Sequence, residues 1–234
     1  MSTGTVKHAS ANQPARRLPF GAEVVMATHN KGKLGEFQAL LAPAGIKLRS
    51  AAALNLPEPE ETGATFAQNA AIKALAAAKA SGLPALADDS GLCVEALDGA
   101  PGIYSARWCG PERDATRAMA RVHDEMAAKV AAGAKPDDRA TFKVALCLAW
   151  PDGTVRHVEG ACPGRLCWPP RGDGGHGYDP MFIPLHEPAR GASNAAGLTF
   201  AEMPAEGKNA FSHRARAVAA FLRACVATES GEGG

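Results

Sequence analysis

Pro84-Ala85-Leu86-Ala87-Asp88-Asp89-Ser90-Gly91-Leu92 runs an apolar segment into two adjacent carboxylates, a hydroxyl and a glycine. It reads as a short buried strand that ends by delivering acid to a surface. Successive side chains on an extended backbone point to opposite faces. Asp88 and Asp89 can therefore share one task only if the strand has already ended; otherwise one faces a cleft and the other a supporting shell. Carboxylates are rarely buried without partners, and two of them at a strand end suit a hard cation such as Mg2+, which takes oxygen ligands and keeps several waters. Asp-Asp-Ser-Gly is equally good turn chemistry, and this stretch alone leaves both readings open.

Immediately upstream, a helix is expected to start at Thr65, whose hydroxyl can cap the first turn while Gln68 reaches back as in a capping box. Alanine-rich Ala70 to Ala80 continues it until Gly82 and Pro84 stop it. Before it lies the loop Leu56-Pro-Glu-Pro-Glu-Glu61, a solvated spacer or a ligand arm. Further back, Glu23-Val-Val-Met-Ala27 reads as a buried strand, Lys31 to Leu41 as a helix, and Ile46 to Ser50 as a second strand. Downstream, a scaffold helix is expected over residues 111–132. Thr141 to Trp150 and Thr154 to Val158 follow as a hairpin turning at Pro151-Asp152-Gly153, and a last helix begins near Ser212.

The chain has 234 residues, 46% of them hydrophobic, with 25 basic against 24 acidic side chains and a net charge of +1. This is the balance of an ordinary soluble protein with no polyanion-coating surface, so no nucleic acid polymer is expected as a partner. Cys93, Cys109, Cys147, Cys162, Cys167 and Cys225 form no C-x-x-C pair and read as reduced, mostly buried thiols. No apolar run is long enough for a membrane span, and the polar start from Met1 to Arg17 lacks a secretory core, so a cytoplasmic location is expected. Residues 1–19 read as a loose extension, 20–228 as one domain with two lobes, and 229–234 as a flexible tail.

Several clusters could carry chemistry. Thr28-His29-Asn30-Lys31-Gly32-Lys33 places a hydroxyl, an amide, two ammonium groups and a permissive glycine at a helix N-terminus, which suits a phosphate. It is not a Walker loop, and a polar capping loop with solvated lysines would look the same. On the next helix Asn69 and Lys73 share a face. Glu60, Glu61, Lys73, Asp88 and Asp89 thus fall within one loop-helix-strand unit, as metal-assisted attack on a phosphoanhydride requires. In the glycine-rich run around His176-Gly177-Tyr178-Asp179, Tyr178 could stack on a base or belong to the core. Lys208, Ser212, His213 and Arg214 offer donors around a helix start, and capping by Ser212 explains that segment almost as well.

Taken in order, Thr28-x-Asn-x-x-Lys33, Glu61-Thr-Gly-x-Thr-Phe66, Ala87-Asp-Asp-Ser-Gly91, Gly99-x-Pro-Gly-Ile-Tyr-Ser-Ala-Arg107, Gly177-Tyr-Asp-Pro180 and Ser212-His-Arg214 resemble the inosine triphosphate pyrophosphatase family in its bacterial dITP/XTP branch. The resemblance implies a two-lobed α/β single domain with a long mixed β-sheet flanked by helices and a deep central cleft. It also implies a homodimer and a Mg2+-dependent hydrolase that cuts dITP, ITP or XTP to the monophosphate and pyrophosphate. By motif position, Thr28, His29, Asn30, Lys31, Gly32 and Lys33 would contact the triphosphate. Glu60 and Asp89 would bind Mg2+, Asp89 would accept the proton and Ser90 would touch substrate; Lys73, from its place in the acid-rich unit rather than from the motifs, is expected to neutralise charge on the leaving group. His176, Gly177, Tyr178 and Asp179, with Lys208, His213 and Arg214, would hold base and sugar. His29 stands where the family usually has glycine and His176 where it usually has an aromatic residue. The rival reading from another class is a nucleotide-binding regulatory module without catalysis.

Overall fold

The structure, a computed structural model, describes residues 16–187 and 191–228. In chain order the elements are β1 (Glu23–Met26), α1 (Lys31–Leu41), β2 (Lys47–Ser50), α2 (Phe66–Ser81), β3 (Ala85–Val94), α3 (Ser105–Trp108), α4 (Ala115–Ala131), β4 (Arg139–Ala149), β5 (Val155–Leu166), β6 (Phe182–Pro184), α5 (Ala205–Phe211) and α6 (His213–Cys225). The six strands form one sheet in the order β2-β1-β3-β4-β5-β6. It is mixed: β1 runs parallel to β2 and β3, while β6 runs antiparallel to β5. This is the α/β class expected from the sequence.

The chain divides into two compact units. One takes the chain up to Asp89, Ala145–Glu159 and the stretch from Ala217; the other takes Ser90–Val144 and Gly160–Arg216. Each has its own core. In the first, Ala70, Ala74, Ala77 and Ala78 of α2 pack with Val25, Ala85, Ala87, Cys147 and Ala149. Methyl-sized side chains let helix and sheet backbones approach closely, and close approach is what brings polar residues of α2 within reach of β3. The second core is aromatic, with Phe142, Phe182 and Phe200 mutually tilted or stacked at centroid separations of 4.6 to 6.0 Å.

Local chemistry explains the elements around the candidate site. Asn30 caps α1 by accepting from the Lys33 amide at 3.1 Å. Thr65 caps α2 by accepting from the Gln68 amide at 3.2 Å, and Gln68 returns the bond one residue earlier than a standard box, to the Ala64 amide at 2.7 Å. Gly82, at φ 69°, closes α2 in the left-handed region that glycine enters without strain. The parallel register Val25↔Ala85 and Met26↔Leu86 sends the ends of β1 and β3 the same way. β1 ends at Met26, opposite Leu86, so the loop after β1 leaves the sheet next to Asp88 and Asp89.

The structure corrects the sequence reading at several points. β3 does not end at the acids but runs on to Val94, so the turn reading fails and Asp88 and Asp89 lie mid-strand. The glycine that suggested a turn serves packing: a Cβ on Gly91 would lie 2.3 Å from the Gly102 carbonyl oxygen and 2.4 Å from Ser105 Oγ. α4 starts at Ala115, because Asp114 caps it by accepting from the Thr116 and Arg117 amides. β5 continues through Pro163 and Gly164 to Leu166, well past Val158, because β6 pairs with that half. α5 was not expected. Arg16–Pro19 belonged to the expected loose extension, yet Leu18 is 1% exposed and is bridged to Val226, its amide donating to the Cys225 carbonyl at 2.7 Å. Residues 1–15 and 229–234 lie outside the described set.

Candidate active site

Three elements of the first unit bring the charges together. Asp88 and Asp89 are 2% and 7% exposed, and each is met by a lysine from a different helix. Lys33, in the first turn of α1, donates to Asp88 Oδ2 at 2.9 Å. Lys73 of α2, itself buried, donates to Glu61 Oε1 and lies 3.7 Å from Asp89 Oδ1. One turn earlier, Asn69 donates to Asp89 Oδ2 at 3.1 Å and accepts from the Gly63 amide at 2.8 Å. The alternation of an extended strand thus gives the neighbouring acids different lysines.

Burial raises the Asp89 carboxyl above the ordinary aspartate range. Lys73 opposes that rise, Glu61 adds to it, and the Asn69 bond and Lys33 oppose it further. For Lys73, burial works against the charge, but the surrounding Asp88, Asp89 and Glu61 carboxylates outweigh it and the ammonium group is held above its usual range. The result is a carboxylate more basic than a free aspartate beside a lysine held in its charged form. A base is most effective when its pKa lies near the working pH.

Around this pair the phosphate-type loop is partly built. Thr28 Oγ1 accepts from the Asn30 amide at 3.2 Å, and Asn30 is committed to capping α1. A Cβ on Gly32 would lie 3.2 Å from Asn30 Oδ1, which favours glycine there. His29 bonds through Nε2 to the Leu56 carbonyl at 3.1 Å, tying this loop to the acidic loop. The side chain of Lys31 lies outside the described set. Glu60 is exposed, and it is its neighbour Glu61 that reaches Lys73.

Ser90 is the first residue of the second unit, directly after Asp89 in β3. Its hydroxyl accepts from Arg214 Nη2 at 3.3 Å. Arg214 and His213 are buried, the imidazole stacked on Phe142 at 5.1 Å. Asp179 is also buried and accepts from the His176 amide at 2.8 Å and from Lys208 Nζ at 2.7 Å, so the glycine-rich loop and α5 share one carboxylate. The Gly177 backbone, at φ 64°, is open to approach, with nothing within 4 Å of a Cβ built on it. Tyr178 is only 4% exposed, and its hydroxyl donates to the Ser105 carbonyl at 3.0 Å. Of the two roles open to it, core and base contact, its burial favours the core.

A Ham1 family model matches residues 24–224. The chain belongs to the Ham1 family. Ham1-family relatives include a protein of Gluconobacter oxydans called a dITP/XTP pyrophosphatase, 60% identical over 92% of this chain and 96% of its own length. A Rhodospirillum centenum protein of the same name is 55% identical over 91% of this chain and 99% of its own. Among solved structures, a HAM1 protein from Coxiella burnetii superposes with a TM-score of 0.74 at 36% identity, covering 86% of this chain and 96% of its own. A nucleoside-triphosphatase, dITP/XTP pyrophosphatase, from Mycobacterium abscessus gives 0.64 at 38%, covering 86% and 99%.

Asn69 had no role assigned from sequence, and Asp88 and Glu61 entered only as members of the acidic cluster. The helical spacing of Asn69 and Lys73 was the available signal, since residues four apart must project toward the same neighbour. The six cysteines are free, as expected, and burial pushes Cys147 and Cys162 up to about 12, so both stay thiols at neutral pH.

Proposed function

We propose that this Ham1-family protein hydrolyses the deaminated purine nucleoside triphosphates dITP, ITP and XTP to the monophosphate and pyrophosphate, removing them from the nucleotide pool. The observation that carries the reading is a buried, elevated aspartate, Asp89, seated between Lys73 and Asn69 next to a second, lysine-paired aspartate. The names of the relatives support the substrate class.

Among the described residues no three His, Cys, Asp or Glu side chains are grouped to hold a metal. Mg2+ does not require such a cage, since one or two carboxylates suffice when substrate phosphates and waters complete its shell. The oxygen donors of Glu60, Glu61, Asp88 and Asp89 fit that chemistry, with Glu60 and Asp89 as the proposed ligands. Bound there, Mg2+ would neutralise phosphate charge and hold the attacked phosphorus in line.

The protein's own groups do the rest. Asp89 accepts the proton of the attacking water. Lys33 and Lys73 offset charge building on the departing pyrophosphate, and the N-terminal amides of α1 receive phosphate oxygens. Ser90 contacts the substrate, and His176, Gly177, Asp179 and Lys208 hold sugar and base. His213 and Arg214 supply donors to the 6-carbonyl of hypoxanthine or xanthine. Adenine, with an amino group there, would leave a buried donor unpaired, a penalty of about 1–3 kcal/mol.

We extend the proposal to a homodimer, as the resemblance implies, and to a cytoplasmic location, where the nucleotide pool lies. No helix among the described residues is long and apolar enough to cross a membrane. The deciding experiment measures pyrophosphate release with Mg2+ from dITP, ITP and XTP against ATP and GTP. Release from the first three alone is expected. Orthophosphate in place of pyrophosphate, or equal turnover of ATP, would overturn the reading.

A further inference from the structure

Asn69 and Lys73 sit one helical turn apart on α2, and each spans the same two partners, the acidic loop and Asp89. Lys73 holds Glu61 and lies 3.7 Å from Asp89 Oδ1. Asn69, 1% exposed, accepts from the Gly63 amide at 2.8 Å and donates to Asp89 Oδ2 at 3.1 Å. The Asn69 amide has no freedom to exchange its ends. The Gly63 N–H requires an oxygen, which leaves the NH2 group for the carboxylate.

Gly63 gives an independent sign that this contact is built. A Cβ there would lie 2.6 Å from Asn69 Oδ1, 2.7 Å from Gln68 Cβ and 3.0 Å from the Asn69 amide nitrogen. The loop is pressed against the start of α2 so closely that only glycine fits. Glu60 and Glu61 immediately precede Thr62 and Gly63.

The geometry points to Asn69 as the positioning residue that fixes the Glu60-Glu61 loop in register with Asp89, one side-chain amide setting both the loop position and the orientation of the carboxylate. This rests on Asp89 being the reacting carboxylate. Lys73 alone cannot impose that register, because an ammonium group is a rotatable point charge, whereas a planar amide fixes direction at both ends. Displacing a reacting group by about 1 Å can cost on the order of 100-fold in rate.

The test uses the full-length protein and three variants, Asn69→Ala, Asn69→Asp and Gly63→Ala. In metal-free, substrate-free protein, amide hydrogen exchange of peptides covering residues 57–64 should quicken in Asn69→Ala and Gly63→Ala. It should stay near wild type in Asn69→Asp, which keeps the acceptor for Gly63. With dITP and Mg2+, all three should lose about 10- to 100-fold in kcat with KM changed less than about threefold. Asn69→Asp loses rate because it has no donor for Asp89. Combining Asn69→Ala with Gly63→Ala should add little to the loss in Asn69→Ala alone, since that variant already lacks the bond that Gly63→Ala disturbs. Unchanged exchange in Asn69→Ala, or kcat losses that merely follow the fall in melting temperature, would overturn the assignment. If wild-type protein releases no pyrophosphate from any triphosphate, the proposed function fails, and the exchange result still decides whether Asn69 holds the loop.

Discussion

Asp89 is held at 7% exposure with its ionised form disfavoured by burial, so the folded protein carries a cost at neutral pH for a group it needs charged. The sign follows from linkage. A carboxyl raised in the folded state binds protons there more readily than in the unfolded chain, and its contribution to stability falls as pH rises through the unfolded and then the folded value. Asp89→Asn removes that cost while preserving shape and the acceptor for Asn69. Turnover should be abolished with dITP affinity largely retained. In Mg2+-free buffer at pH 7 the melting temperature should equal or exceed that of the wild type by up to about 4 °C, corresponding to about 1 kcal/mol. The gap should close as the buffer approaches pH 4. A wild-type kcat, or a melting temperature several degrees lower, would count against both the role and the sign. Tyr178 behaves oppositely. Tyr178→Phe deletes the bond to the Ser105 carbonyl and should cost about 1 kcal/mol, a fall of about 2–4 °C, while KM for dITP stays within twofold. A large change in KM with unchanged stability would return Tyr178 to the base-binding group.

The two helices beside the site, α1 and α2, are legible from sequence because their signals are local. The cap at Asn30, the Thr65-x-x-Gln68 box and the glycine stop at Gly82 each lie within a turn of the backbone groups they satisfy. Where the reading failed, the cause was distant in sequence. Gly91 looked like a turn residue since nothing nearby reveals that Ser105 packs against it, its hydroxyl accepting from the Leu92 amide at 3.0 Å and donating to the Gly102 carbonyl at 2.7 Å. The expected strand stopped at Val158, and β5 runs on to Leu166 because β6, which pairs with that half, comes later in the chain. Gly91→Ala puts a methyl into backbone rather than into a movable side chain, and should cost about 1–3 kcal/mol or more, which urea midpoints would read directly. Gly91→Ala with Ser105→Gly relieves the contact with Oγ but not that with the Gly102 carbonyl, so only partial recovery is expected. Full stability in Gly91→Ala alone would mean that β3 can shift away from α3.

For the whole molecule, the decisive fact is that the two compact units are not successive segments of chain. β3 passes from one to the other between Asp89 and Ser90, β4 between Val144 and Ala145, and β5 between Glu159 and Gly160. Each strand commits part of its length to each core, so melting one unit leaves three half-strands of the other frayed at their ends. Domains joined by flexible linkers can unfold independently; units sharing three strands should unfold together. Trp150 lies in the first unit and Trp108 in the second, with Arg121 over the Trp108 ring at 3.8 Å. Variants keeping one tryptophan each, the others replaced by phenylalanine, should give urea transitions that coincide with each other and with far-ultraviolet circular dichroism measured on the same variant, as all-or-none unfolding requires. Separated midpoints, with the Trp108 signal lost while the Trp150 signal persists or the reverse, would show that the shared strands do not couple the cores.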